Sequence, residues 1–332
     1  MEEHNKTKNI VSNKKFSLQI TEDNWFECIV GFPENEWNFT LDNISKKIAK
    51  DMGDFEQHRL DDLEKEFSDQ NKEILDENKK LKVRIRTSYV REDLFDTSSL
   101  QINGKEKALY QVASNFNCME IPNKHSNVFS GKYLTNLMSD STQGPSASGG
   151  AGYGAILRVV SHHENPINLL SDTDLKPENG KLLCVKSKND FKYSDIKIGL
   201  HSNVRATFNR SDKFEYKPDG PIIDQVYTST CICSNTQPNK MSEILLKASY
   251  DGTYLCAIKN QNSQLILTAI GGGVFRNSLD QIGEAISNAH KKYAKYLPKD
   301  CEVILPIYQQ DPKALCDAIK KYMKIDLDEI KG

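Results

Sequence analysis

The residues best placed to do chemistry form one run, Gly271-Gly272-Gly273-Val274-Phe275-Arg276-Asn277. It follows a short apolar segment at 265–270 and precedes a helical pattern at 278–296, which makes a strand–loop–helix unit. Glycines let the backbone curl closely around a ligand. The first turn of the following helix adds unpaired N–H groups and a positive dipole end. Together they suit an anion such as a phosphate, at the carboxyl end of a buried strand. Asn277 or Ser278 can cap the helix. A plain strand-to-helix turn would use the same residues. The chain contains no Gly-x-x-x-x-Gly-Lys-Ser/Thr, and its glycines do not follow Gly-x-Gly-x-x-Gly. P-loop NTPases and Rossmann dehydrogenases are therefore set aside.

Carboxylates near this loop are the candidates for proton transfer. Asp280 falls in the first turn of the following helix, and Glu284 lies one turn further on the same face. Asp251 stands beside Gly252 in the preceding helical stretch. These three are the catalytic candidates, although a helix dipole favours Asp280 whether or not it is catalytic. Asp140 precedes a small-residue loop. Glu120 follows an asparagine-rich segment and is read as structural. The adjacent His162 and His163 cannot converge on one metal, and Ser146 and Ser148 lack the Gly-x-Ser-x-Gly frame of a nucleophile elbow. The eight cysteines include no Cys-x-x-Cys pair. Cys231 and Cys233, in an apolar segment, are expected to diverge and to serve as reduced, buried thiols. No metal site is expected.

Several elements must position these groups. Residues 1–15 are polar and read as a disordered tail. From 40 to 81, apolar residues recur at three-to-four spacing, so 16–81 is read as a mostly helical extension, with Gly53 as a break. Strands are expected at 83–87, 108–113, 181–186, 196–200, 222–233, 265–270 and 302–307. Helices are expected at 241–259, 278–296 and 312–323. The small-residue stretch 142–155 reads as a loop feeding a closely packed helix. This alternation predicts an α/β layered fold from about residue 80 onward.

Composition excludes some functions. With 44 basic and 46 acidic side chains among 332 residues, the net charge is −2. That balance lacks the basic excess that grips a nucleic-acid backbone. There is no run of about 18 apolar residues, so no transmembrane helix is expected. The polar start does not read as a signal peptide. No nucleic-acid or membrane partner is expected.

Three segments together carry a resemblance. They are Gln111-Val112-Ala113-Ser114-Asn115-Phe116-Asn117-Cys118-Met119-Glu120, Thr142-Gln143-Gly144-Pro145, and Leu267-Thr268-Ala269-Ile270 running into the glycine loop. In this order they resemble a divergent branch of the macrodomain family, the MavL-like arginine-specific ADP-ribosyl hydrolases. Ile223-Asp224-Gln225-Val226-Tyr227 is similar to a strand of the same group. The likeness spans about residues 82 to 300. It implies a three-layer, macrodomain-like mixed sheet with helices on both faces, in a domain over 82–332. By resemblance, Asn115 and Asn117 lie near the distal ribose and Gln143 and Gly144 belong to a second ligand loop. Residues Gly271, Gly272, Gly273, Val274, Phe275, Arg276 and Asn277 hold the diphosphate, with Phe275 against a ribose. The implied ligand and product is ADP-ribose, with no cofactor required. The implied partner is an ADP-ribosylated protein, with ubiquitin named by the resemblance alone. The implied location is the cytoplasm, or a host cytosol if the protein is delivered there. The expected activity is removal of ADP-ribose from a protein side chain, arginine being the implied one. The alternative is a non-catalytic module that only binds ADP-ribose or a related nucleotide.

Overall fold

A computed structural model defines residues 19–70, 73–85, 97–121, 127–139, 147–184, 191–209, 214–307, 312–324 and 328–331. The expected tail at 1–15, Asp140, Gln143, Gly144 and Pro145 lie outside the described residues. In chain order the elements begin with helices α1 (Trp25–Val30) and α2 (Lys46–Ala49), strand β1 (Asp54–Arg59), helix α3 (Leu60–Asp69) and strand β2 (Leu81–Ile85). They continue with α4 (Thr97–Ile102), β3 (Ala108–Ala113), α5 (Tyr133–Leu137), α6 (Gly152–Glu164) and β4 (Lys197–Arg205). A small ribbon of β5 (Phe208–Asn209) and β6 (Glu215–Tyr216) precedes β7 (Ile222–Thr228) and α7 (Lys240–Lys259). Then come β8 (Gln264–Ile266), α8 (Leu279–Tyr293), β9 (Glu302–Ile307), α9 (Pro312–Met323) and β10 (Asp328–Lys331).

Eight strands form one sheet in the order β1-β4-β7-β3-β8-β9-β2-β10. β4 runs antiparallel to both its neighbours, and every other adjacent pair is parallel. Central β3 is buried on both faces, as parallel strands covered on two sides must be. Side chains on the two faces of β4 show the two covering layers. Ile198 packs against α7 at Gly252, whereas His201 packs against α6 at Gly154 and Arg158. Helices α3, α7, α8 and α9 form one layer, and α1, α4, α5 and α6 form the other. The layered α/β architecture with helices on both faces is therefore as expected. Helix α7 is buried along most of its length, since the sheet, α3 and α8 enclose it.

The helical reading of 40–81 is corrected. Residues 54–59 form the edge strand β1, paired with β4, and only short helices flank it. Gly53 at φ 71° turns the chain against the Ser202 carbonyl, where any Cβ would stand 2.2 Å away. One side of β1 faces solvent, so its polar residues mimic an amphipathic helix. Charged side chains on an edge strand also discourage pairing with another chain. Trp25, Phe26, Ile48 and Leu60 belong to the main core, so this segment packs as part of the same body. Other boundaries also shift. Residues 181–184 make isolated bridges where a strand is expected, the strand expected over 222–233 ends at Thr228, and that expected over 265–270 spans Gln264–Ile266. Among the described residues, no helix is long and apolar enough to cross a membrane.

Candidate functional site

The carboxyl ends of three adjacent parallel strands, β7, β3 and β8, open into one cavity of about 340 Å³. Its walls are the residues that follow each strand: Ser114 and Asn115 after β3, Ser229 and Thr230 after β7, and Thr268 to Gly271 after β8. Open α/β sheets place ligands at such strand ends. The only ionisable residues lining it, among the described residues, are Glu120 and Lys181.

The glycine loop forms one wall through Gly271, Gly273, Val274 and Phe275. Its ends are drawn together by the Asn277 N–H donating to the Gly271 carbonyl at 3.0 Å. The N–H groups of Gly273, Val274 and Phe275 reach no acceptor among the described residues. They are therefore available to an anion. Val274 is 87% exposed.

Asn277 holds this loop from beneath. It is buried, and its side chain accepts hydrogen bonds from the hydroxyls of Thr230, at 3.0 Å, and Ser242. It donates to the carbonyls of Cys231, at 2.9 Å, and Phe275, at 3.2 Å. Three of these bonds join the loop to the β7 exit and the start of α7, and the one to Phe275 closes the loop on itself, so Asn277 is a clamp. Gly271 lies against this clamp at φ 74°, and a Cβ there would stand 2.6 Å from both Asn277 Nδ2 and Thr230 Cγ2. Arg276 is exposed and does not line the cavity.

The asparagine segment is a tight buried turn beyond β3. Asn115 Nδ2 donates to the Met119 carbonyl at 3.0 Å, and Asn117 Oδ1 accepts the Met119 N–H at 3.2 Å. Cys118 at φ 58° completes the reversal. Asn115 lines the strand-end cavity. Asn117 instead lines a neighbouring cavity of about 520 Å³, which shares Ile121 and includes His162. The larger cavity lies away from the glycine loop, so the smaller one is the better site for chemistry. His162 accepts the Ile167 N–H at 2.9 Å and its ring stacks on Phe129.

The same turn brings Glu120, read from the sequence as structural, into the lining of the cavity. Glu120 is buried, and its Oε2 accepts the Ser148 N–H at 2.6 Å. Ser148 sits in the small-residue turn before α6, which Gln101 and Gln225 hold through the Ala147 carbonyl at 2.8 and 3.1 Å. The Ser148 hydroxyl in turn accepts from the fully buried Arg158 at 3.1 Å. Arg158 also lies 4.1 Å over the Tyr227 ring and donates to His201 Nδ1 at 2.9 Å. His201 Nε2 donates to the Met52 carbonyl at 2.6 Å. This pattern fixes the neutral tautomer, and burial holds the His201 pKa down at about 3.

The three carboxylates singled out from spacing lie elsewhere. Asp280 receives hydrogen bonds from Lys321, at 2.9 Å, and Tyr322, at 2.7 Å, and joins α8 to α9. The Lys321 hydrogen bond, followed by that of Tyr322, lowers its pKa. Glu284 shares that face: the Tyr322 pKa is raised chiefly by its hydrogen bond to Asp280, and the nearby Glu284 charge adds to it. Asp251 is buried on another side of α7, bonded to Tyr193 at 2.7 Å and paired with Lys247. None of the three lines the cavity. The i,i+4 spacing of Asp280 and Glu284 is real, but the face they share meets α9.

No protein-family model and no curated protein sequence matches this chain. Solved structures do. The chain is similar to the poly(ADP-ribose) glycohydrolase of Thermomonospora curvata, at 12% identity and a TM-score of 0.50, covering 85% of this chain and 89% of that one. The Deinococcus radiodurans poly(ADP-ribose) glycohydrolase, solved in complex with ADP-ribose, aligns at 13% identity and a TM-score of 0.46, covering 85% and 98%. The fold is thus a mixed α/β sheet flanked by helices, of the macrodomain-like type found in the first of these.

Proposed function

We propose that the strand-end cavity binds ADP-ribose and that the protein hydrolyses ADP-ribosyl groups from modified protein side chains, with arginine as the modified residue. The observation that carries this reading is the meeting of Glu120 with the open N–H groups of Gly273, Val274 and Phe275 around one cavity. The diphosphate lies over the glycine loop, and the distal ribose reaches Asn115 and Glu120. Lys181 adds positive charge to the same cavity.

The reaction breaks an N-glycosidic bond through an oxocarbenium-like transition state. Water attacks the anomeric carbon, and the Glu120 carboxylate takes a proton from that water. The bonding electron pair leaves with the guanidine nitrogen, and the proton that Glu120 took from the water passes to that nitrogen, so arginine departs as guanidinium and the Glu120 carboxylate is restored. Ser148 holds Glu120 in place by its backbone N–H. The preference for arginine rests on the likeness of the 111–120, 142–145 and 267–277 segments to arginine-specific hydrolases. A fold neighbour named as a poly(ADP-ribose) glycohydrolase makes ADP-ribose polymer the second substrate to assay.

The test is to incubate the protein with arginine-ADP-ribosylated protein, ubiquitin among the substrates, and to follow free ADP-ribose. Release is expected. Binding of ADP-ribose with no release from arginine-linked, serine-linked or polymeric substrate contradicts hydrolysis and leaves a binding module.

A further inference from the structure

A second cluster of reactive side chains lies behind the glycine loop. The thiol sulfurs of Cys184, Cys231 and Cys233 all lie within 4.8 Å of one another. The expectation that Cys231 and Cys233 diverge is corrected here. The bridge at Ile232 holds the chain extended where Cys231 and Cys233 flank it, and residues two apart on extended backbone share a face. Ile232 bridges to Leu183, with the Cys184 N–H donating to the Ile232 carbonyl at 2.9 Å. That pairing brings Cys184 to the same side as the other two.

The geometry points to a metal site in which Cys184, Cys231 and Cys233 bind one thiophilic cation of the zinc type. Zinc–thiolate bonds of about 2.3 Å place tetrahedral sulfurs about 3.8 Å apart. The cluster therefore needs to contract by less than about 1 Å to reach that geometry. Three protein ligands leave a fourth position for water. No fourth histidine, cysteine or carboxylate joins the group among the described residues. Cys231 and Cys233 are buried, and half-buried Cys184 offers the approach from solvent. Binding proceeds with loss of the thiol protons to water, since the ligands are thiolates.

The site is joined to the loop above it. The Cys233 N–H donates to the Phe275 carbonyl at 2.8 Å, and the Cys231 carbonyl accepts from Asn277 at 2.9 Å. A bound cation fixes the backbone on which the loop rests. This site is independent of the ADP-ribose reading, because a soft cation and a diphosphate use different atoms.

The experiment uses the full chain, purified under reducing conditions and titrated with Co2+ as a spectroscopic stand-in. One equivalent per chain with a thiolate-to-cobalt charge-transfer band is expected, and Zn2+ displaces it. Cys184→Ser, at the half-buried position, lowers Co2+ affinity on the order of 100-fold, since even outer contacts cost 10–100-fold. Cys28→Ser, outside the cluster, leaves the band unchanged. The proposal is overturned if the wild-type chain takes up no Co2+, or if the band survives Cys184→Ser at equal affinity. It is also overturned if oxidation to a disulfide is the only chemistry that mass spectrometry finds at these thiols.

Discussion

The Ser148 backbone N–H donates to Glu120 Oε2 at 2.6 Å, so this carboxylate of the cavity wall is held by the turn that begins α6. Glu120→Gln keeps the shape and an acceptor oxygen but removes the negative charge. A general base contributes typically ~10²–10⁴-fold to a rate. The variant is expected to lose at least ~100-fold in ADP-ribose release while still binding ADP-ribose. Asp280→Ala, which breaks only the contact to α9, is expected to leave release within about twofold. Parallel kinetics on the two variants decide between these carboxylates, and the reverse ranking sinks the assignment of Glu120.

Asn277 is expected to matter through structure. Asn277→Ala leaves the hydroxyls of Thr230 and Ser242 and the Cys231 carbonyl without their partner. At about 1 kcal/mol for each buried group, urea unfolding is expected to show a loss of about 3 kcal/mol. A loss under about 0.5 kcal/mol says that the clamp does not hold the loop.

Two glycines of the same loop are expected to behave differently. Gly271→Ala places a Cβ at φ 74° and 2.6 Å from Asn277 and Thr230, whereas a Cβ at Gly273 meets nothing within 4 Å. Thermal unfolding is expected to drop for Gly271→Ala by several degrees and to stay near wild type for Gly273→Ala. Equal behaviour of the two contradicts the loop geometry.

Burial holds two histidines neutral, His201 at about 3 and His290 at about 4. Their ordinary pKa, about 6.5, applies in the unfolded chain. Below about 6.5 the unfolded state therefore binds more protons than the folded state, and stability falls as pH falls. Their contribution is complete above about 6.5 and is lost progressively down to the folded values. The slope from the two together is steepest near pH 5, where it approaches a ceiling of about 3 kcal/mol per pH unit. Burial also lowers His58 and His162 and adds to this direction, while the raised pKa of buried Glu34 opposes it near its own titration. Imidazole ¹⁵N shifts at pH 5 are expected to show both His201 and His290 neutral. Ordinary titration near 6.5 contradicts the buried contacts of Arg158 to His201 and Tyr254 to His290.

Features that depend on local sequence were readable from it. Strands 108–113 and 302–307 and the helix 312–323 fall where their apolar patterns place them, because continuous or 3.6-residue periodicity directly encodes burial. The glycine loop was legible because its glycines are consecutive and a helix follows. Glu120 was not, since it reaches the cavity only through the reversal at Cys118, a backbone turn that leaves no periodic trace. For Asp280 and Glu284, spacing gives a shared face but not what covers it. Helix α9, more than 30 residues later, decides that. Strand β1 was hidden for a related reason, since its partner β4 lies over 130 residues away and one of its sides is wet.

The central claim is that the cavity at the ends of β7, β3 and β8 is an ADP-ribose site built on the glycine loop. Calorimetric titration of ADP-ribose into the wild-type chain and into Gly271→Ala tests it most directly. Saturable one-to-one binding is expected for the wild type, weakened about tenfold or more in the variant, a difference of about 1.4 kcal/mol. No heat up to millimolar ADP-ribose, or equal affinity in a folded Gly271→Ala, contradicts it.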